Sequence, residues 1–179
     1  IFISPAISTY YESLSTNDNA SNALKQQEGT YIDTELRYSI IQDKRDQRFK
    51  STEGYRASFN QKIPFYSESP SLLNGVDYSV YQSFGENIVG SVRFYGRAIN
   101  SLSSSEDVKL SERISIPSVY LRGFENGRIG PVDALDHVGG NYATALGFNA
   151  NLPKLLPNVS NADVSVFLDT GNVWGIDYD

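Results

Sequence analysis

The sequence predicts an all-β fold of antiparallel strands, and three observations carry that prediction. First, apolar and polar side chains alternate with a period of two in about seven segments, as expected for strands with one apolar and one wet face. Second, helical periodicity is almost absent. The best helix candidates, residues 19–29 and 103–114, have no apolar face, and we predict loops there. Third, short and long connections follow one another along the chain.

The alternation is clearest in residues 31–40. Side chains of one parity are aliphatic or uncharged: Ile32, Thr34, Leu36, Tyr38 and Ile40. Side chains of the other parity are charged or small and polar: Asp33, Glu35, Arg37 and Ser39. The same pattern predicts strands over residues 54–65, 87–100, 141–152 and 163–174, and more weakly over residues 1–11 and 74–84.

Two features favour a transmembrane barrel over a soluble sandwich, which stays as the alternative. Charges recur on the polar parity of the strands, for example Arg93 and Arg97. The predicted connections are short around residues 51–54 and 85–87 and long over residues 13–29, 66–73 and 101–140, a contrast typical of outer-membrane barrels. No window approaches 18 apolar residues, so no transmembrane helix is predicted, whereas a strand crosses a membrane with about 9–11 residues.

The amino-acid composition excludes several kinds of partner and of chemistry. The 179 residues suffice for one domain, and the net charge of −6 comes without a basic stripe, so we expect no nucleic-acid partner. The chain has no cysteine, which excludes disulfides and cysteine chemistry. It also has no methionine, and we therefore expect residues 1–179 to be a piece of a longer chain.

A search for catalytic motifs finds none that would make the protein an enzyme. His137 is the single histidine, and no motif places a nucleophile beside it, so a plain loop histidine is the favoured interpretation. The sequence lacks a Gly-x-Ser-x-Gly elbow, a His-Glu-x-x-His pair and a phosphate-binding glycine loop. We expect no catalytic residue, no metal and no cofactor.

The remaining feature is the loop over residues 118–131, which carries Arg-Gly-Phe among turn-forming residues. Its motif positions are Leu121, Arg122, Gly123 and Phe124, followed by Ile129, Gly130 and Pro131. Three further motifs follow or precede it in the chain: Gly139, Gly140 and Asn141; then Asp169, Gly171 and Trp174; and upstream Asp43, Arg45, Asp46 and Gly54. Four motifs in this order are much more specific than any one of them.

These motifs resemble those of the BamA family of outer-membrane protein assembly factors, in its alphaproteobacterial style. The resemblance implies part of a C-terminal barrel of about 16 strands, with the long loop folded into the lumen. In this interpretation residues 1–179 belong to that one barrel domain, and the periplasmic POTRA repeats and the terminal barrel strands lie outside the sequence. An isolated open sheet of this kind would expose its edges, and we expect it to be inactive alone.

The resemblance also implies that Arg122 pairs with Asp169 inside the lumen. Asp169 shares its parity with Ser165 and Gly171, opposite the aliphatic parity, so it faces the lumen if the aliphatic side faces lipid. Gly123 would permit a tight turn, and Phe124 would pack against the wall. The alternative from the residues alone is a solvated loop arginine and an aspartate that merely ends a strand.

The sequence also departs from the family pattern. Residues 116–118 stand where a glycine pair usually precedes Arg-Gly-Phe, and Ser51 replaces a usual proline. Gly147 stands where the family often has a second acidic partner for the arginine, which leaves a second partner open.

The implied function is assembly of β-barrel clients into the outer membrane of a Gram-negative bacterium. The implied partners are unfolded barrel clients, outer-membrane lipid and accessory assembly lipoproteins, and templating at a strand edge is the implied mechanism. A two-partner secretion or translocation-and-assembly transporter of the same superfamily is the first alternative. A passive porin is the alternative from another class.

Overall fold

The computed structural model describes residues 1–85, 88–104, 107–152 and 164–176. Seven long strands form one antiparallel sheet: β1 (Phe2–Leu14), β2 (Gly29–Asp43), β3 (Gly54–Tyr66), β4 (Ser71–Ser83), β5 (Val89–Ser101), β8 (Tyr142–Leu152) and β9 (Val164–Trp174). Their order in the sheet is their order in the chain, so each pairs with its predecessor. The predicted all-β architecture of about seven antiparallel strands is confirmed.

The long segment between β5 and β8 contains the remaining strands. Here β6 (Val132–Asp133) and β7 (Asp136–His137) form a small hairpin that the sequence did not predict, because two-residue strands carry no periodicity. Helix α1 (Asn22–Lys25) and a 3-10 turn at Leu110–Glu112 lie in segments predicted as loops, so those predictions are wrong there.

Helix α1 forms for a local reason that periodicity does not reveal. The Ser21 hydroxyl accepts a hydrogen bond from the Leu24 amide at 3.2 Å, the usual N-cap arrangement. Leu24 is buried in a small cluster with Ala20, Val138 and Leu110, so one buried side chain of the helix takes the place of an apolar face.

Two predicted connection lengths are also wrong. β3 and β4 are joined by residues 67–70 alone, because adjacent Leu72 and Leu73 hide the start of β4 in the alternation pattern. β2 and β3 are joined by residues 44–53, which form an ordered turn longer than expected. The short turn predicted at residues 85–87 lies mostly outside the described residues.

The two faces of the sheet differ sharply in charge. Directly paired residues of an antiparallel sheet point to the same side, so the register assigns every strand position to a face. All charged residues of the seven strands fall on one face: Glu12, Asp33, Glu35, Arg37, Asp43, Arg56, Lys62, Asp77, Arg93, Arg97 and Asp169. The other face exposes apolar side chains such as Ile7, Val76 and Leu168. Only this uncharged face suits contact with lipid.

The core lies between the charged face and the long loop. The buried apolar cluster combines strand and loop residues: Tyr95, Ile99, Val108, Ile114, Ile116, Leu121, Ala143, Ala145 and Val173. The long loop between β5 and β8 therefore covers the inner face of the sheet. Among the described residues, no helix has the length and hydropathy needed to cross a membrane.

Candidate functional site

The centre of the site is the contact between Arg122 of the loop and Asp169 of β9. Arg122 Nε donates to Asp169 Oδ2 and Nη2 donates to Oδ1, both at 2.7 Å, and the Arg122 amide adds a third bond to Oδ2 at 3.1 Å. The Asp169 side chain is only 2% exposed. Two parallel bonds between a guanidinium and a carboxylate fix direction as well as charge.

Two further contacts orient the Arg122 guanidinium. Its Nη1 donates to Asn149 Oδ1 at 2.9 Å, and its Cζ lies 3.7 Å from the centroid of the Phe167 ring. Asp169 is the one carboxylate within ion-pair distance of Arg122 among the described residues. Gly147, which pairs with Asp169 across the strands, has no side chain, and Asn149 accepts the further bond from Arg122.

The neighbours of Arg122 hold the loop close to β9. Leu121 is buried, and a Cβ at Gly171 would lie 3.1 Å from its Cδ1, so the missing side chain makes room for Leu121. Gly123 has a φ of +87°, which suits glycine. Phe124 is 54% exposed on the described segment of the wall, so its packing against the wall stays a prediction.

Tyr120 attaches the same part of the loop to β4 and β5. Its hydroxyl donates to Asp77 Oδ1 at 3.1 Å, and its ring lies 4.6 Å from that of Tyr95. Arg97 donates to both oxygens of Asp77 at 2.9 Å and covers the Tyr95 ring at 4.2 Å. Asp77 is therefore shared between strand and loop.

Residues at the end of the loop approach β9 and the start of β8. Ile129 packs against the buried cluster, and a Cβ at Gly130 would lie 2.8 Å from Val173 Cβ. The Pro131 carbonyl accepts the Val138 amide at 3.2 Å.

The Gly-Gly-Asn motif closes the loop. Gly140 and Ile114 exchange two backbone hydrogen bonds of 2.8 and 3.0 Å, and a Cβ at Gly139 would lie 2.8 Å from the Ile114 carbonyl oxygen. The Asn141 amide donates to the Gly175 carbonyl at 2.7 Å. Trp174 points to the lipid-side face and stacks on Tyr142 at 6.0 Å, so it is not part of the inner site.

A second cluster on the inner face escaped the sequence reasoning. Lys109, 2% exposed, donates to Asp33 of β2, and its Nζ lies 3.7 Å from Glu12 and 4.0 Å from Glu112. Glu112 accepts from Lys62 of β3 at 2.5 Å. The one signal of this cluster in the sequence was the run of charged residues on one parity of β2. No motif indicated which loop residues would pair with them.

The Asp-x-Arg-Asp turn between β2 and β3 lies at the opposite end of the sheet from the long loop. Asp43 accepts two bonds from the Arg45 guanidinium, at 2.9 and 2.7 Å, and one from its backbone amide at 3.2 Å. Hydrogen bonds from the Thr52 hydroxyl and from backbone amides lower the pKa of Asp46 to about 2. Gly54 has a φ of +91°, and a Cβ there would lie 2.1 Å from the Lys44 carbonyl oxygen, so this position requires glycine.

No group of three or more histidine, cysteine or acidic side chains in the described ranges has the spacing of a metal site. The arrangement instead binds one loop to the inner face of one sheet through charge pairs, aromatic contacts and close backbone approach. An antiparallel sheet with a charged inner face, an uncharged outer face and a loop packed inside defines a wall segment of a transmembrane β-barrel.

The family comparison agrees with this class. Residues 5–179 match the Omp85 superfamily domain, and the chain belongs to that superfamily of outer-membrane proteins. It is 27% identical over 165 residues to the outer membrane protein assembly factor BamA of Neorickettsia risticii (strain Illinois), a match that covers 89% of this chain. The crystal structure of BamA from Haemophilus ducreyi lacking POTRA domains 1–3 shares the fold, with a TM-score of 0.76, 20% identity and 97% of this chain covered.

These relatives are much longer than the chain. It spans 22% of the Neorickettsia protein and 39% of the Haemophilus chain. The outer-membrane location agrees with the uncharged outer face of the sheet.

Proposed function

We propose that the protein containing this chain assembles β-barrel clients into the outer membrane, and that docking of Arg122 on Asp169 supports this activity. The observation that carries the proposal is the three-bond contact between Arg122 and Asp169 inside a wall segment of an Omp85 protein. The similarity to two proteins named BamA supports the assembly role.

The physical role of the loop follows from what it covers. The inner face of β1–β5, β8 and β9 carries the charges of the sheet, and charged residues of the loop form close ion pairs with three of them, Asp33, Lys62 and Asp169. A docked loop therefore stiffens the wall and fills the lumen beside it. Client strands would then be templated by backbone pairing at a strand edge elsewhere in the barrel.

The proposal requires no covalent chemistry and no cofactor. Its partners are unfolded barrel clients, the outer-membrane lipid against the apolar face, and accessory lipoproteins of the parent complex. Energy for insertion would come from client folding in lipid, where every backbone polar group must be paired.

The experiment uses the full-length parent in liposomes with an unfolded barrel client. Client assembly is scored by protease resistance for wild type, Arg122→Ala and Arg128→Ala. Arg128 is the matched control, because it lies in the same loop and is exposed, with one solvent-facing partner in Glu125. We expect Arg122→Ala to slow assembly and Arg128→Ala to leave it unchanged.

Other outcomes would replace the proposal. If wild type does not speed client assembly but exports a partner protein, a secretion transporter of the same superfamily fits better. Steady ion conductance without client assembly would identify a porin.

A further inference from the structure

Arg93 of β5 is the one strand arginine beside the Arg122–Asp169 contact. Within the described part of the chain, its Nε and Nη2 are buried and have no hydrogen-bond partner. Buried polar atoms are nearly always paired, so an unpaired guanidinium edge requires an explanation. Nε and Nη2 together form an edge that binds a carboxylate through two parallel bonds.

The carboxylate beside that edge is Asp169. Arg93 Nη2 lies 4.0 Å from Asp169 Oδ1, just beyond hydrogen-bond distance. Arg93 pairs with Gly147, and Gly147 pairs with Asp169, so the two side chains flank a residue that has none. A Cβ at Gly147 would lie 2.8 Å from Asp169 Oδ1 and 3.5 Å from Arg93 Nη2. Glycine keeps the path between them open.

The charges of the site show why open space between Arg93 and Asp169 is useful. With the loop docked, the Asp169 side chain is only 2% exposed, so loss of the Arg122 guanidinium alone would leave a buried carboxylate in need of another cation. A shift of about 1 Å would bring Asp169 within hydrogen-bond distance of Arg93. The site thus holds one carboxylate between two arginines, one on the loop and one on the wall.

We propose that Arg93 is the alternative partner of Asp169, which takes over the carboxylate when Arg122 and the loop withdraw. Arg93 is then a positioning residue that makes undocking of the loop reversible. The inference rests on the proposed function in one respect, that the loop undocks while the protein works. Its chemistry can be tested without any client.

The first test is a double-mutant cycle in the full-length protein, with Arg122→Ala, Arg93→Gln and both together. Each single variant leaves Asp169 one arginine, so we expect small decreases in the thermal unfolding midpoint. The double variant leaves none, and its midpoint should fall by about 3 °C or more beyond the sum of the two. Additive decreases would overturn the proposal.

Gly147→Ala provides an independent way to separate Arg93 from Asp169. Combined with Arg122→Ala it should reproduce the excess loss, whereas Gly127→Ala should not, because a Cβ at Gly127 meets no atom within 4 Å. Arg93→Lys keeps a cation beside Asp169. Combined with Arg122→Ala, it should therefore abolish most of the loss of unfolding midpoint that exceeds the sum of the single variants. If the lysine variant showed the same excess loss as Arg93→Gln, Arg93 would act through packing and not through its charge.

The second test measures undocking itself. Residues 1–179 contain no cysteine, so Ile116→Cys in the buried cluster, placed in a full-length background from which any other cysteine has been removed, reports loop release by its rate of thiol labelling. Because Arg93→Gln removes the alternative partner, labelling should slow by about five-fold. An unchanged or faster rate contradicts the proposal. A wild-type protein that fails to assemble clients would refute the proposed function alone, since neither readout requires a client.

Discussion

The loop is fixed to the inner face at two places that differ in design. The Arg122 anchor, formed by Arg122 and Asp169, consists of one bidentate pair with a second arginine, Arg93, 4.0 Å away. The Lys109 anchor, formed by Lys109 with Asp33 and Glu112, buries a lysine among carboxylates of β1, β2 and the loop.

The two anchors differ in whether a second cation can replace the first, and this difference decides whether a contact can be released or is permanent. At the Arg122 anchor, a substitute cation is available to the buried carboxylate. At the Lys109 anchor, loss of Lys109 would leave Asp33 and Glu12 without an ion-pair partner among the described residues, because Lys62 reaches only Glu35 and Glu112. The first arrangement suits release, whereas the second suits permanent attachment.

Lys109→Ala should therefore have the largest effect on stability. Removing one partner of a buried pair leaves Asp33, which is 3% exposed, without its cation, and about 3–5 kcal/mol of unfolding free energy should be lost. Denaturant unfolding of the full-length protein measures the loss. Lys25→Ala is the matched control, because Lys25 is exposed in α1 and its ammonium donates to the Asp18 backbone carbonyl and not to a buried carboxylate.

A double variant sharpens that result. Replacing Lys109 by Met and Asp33 by Asn removes both charges, and it should cost less than Lys109→Ala alone. If the double variant lost more unfolding free energy than Lys109→Ala, Lys109 would not act by compensating the charge of Asp33.

Gly130→Ala should rank second, because it disturbs the approach of the loop to β9. Gly130 has a φ of +120°, and its added Cβ would lie 2.8 Å from Val173 Cβ, so both backbone strain and overpacking are expected, at about 1–3 kcal/mol. Gly127→Ala has a positive φ without the clash and should cost less. Equal losses of unfolding free energy would show that the close contact with Val173 does not matter.

Arg122→Lys should have a smaller effect, and it tests the bidentate design. Lysine keeps the charge but loses the two parallel bonds and the contact with Phe167, at about 1–2 kcal/mol of docking free energy. Labelling of a cysteine placed at Ile116 measures docking, and Arg128→Lys is the control. Docking equal to wild type would mean that charge alone holds the Arg122 anchor.

The two anchors also show what sequence reasoning can reach. The strands were predictable because each has a lipid face and a lumen face, which imposes a period of two on residues such as Ile32 to Ile40. The positions of Arg122 and Asp169 came from motif resemblance. Lys109 was not predictable, because it lies 76 residues from Asp33 in a segment without periodicity, and only the path of the folded loop brings them together.

Asp46 should show the smallest effect, at the end of the sheet remote from both anchors. Its pKa falls from an ordinary 3.8 to about 2, so the stability it contributes to the turn is complete above pH 3.8 and is lost as pH falls toward 2. Amide hydrogen-exchange protection of Thr52 and Glu53, which donate to Asp46, should decrease in that window. Asp46→Asn should remove the pH dependence while leaving labelling at Ile116→Cys unchanged. If loop docking also decreased between pH 3.8 and about 2, the turn at Asp46 would be coupled to the two anchors and would not be independent of them.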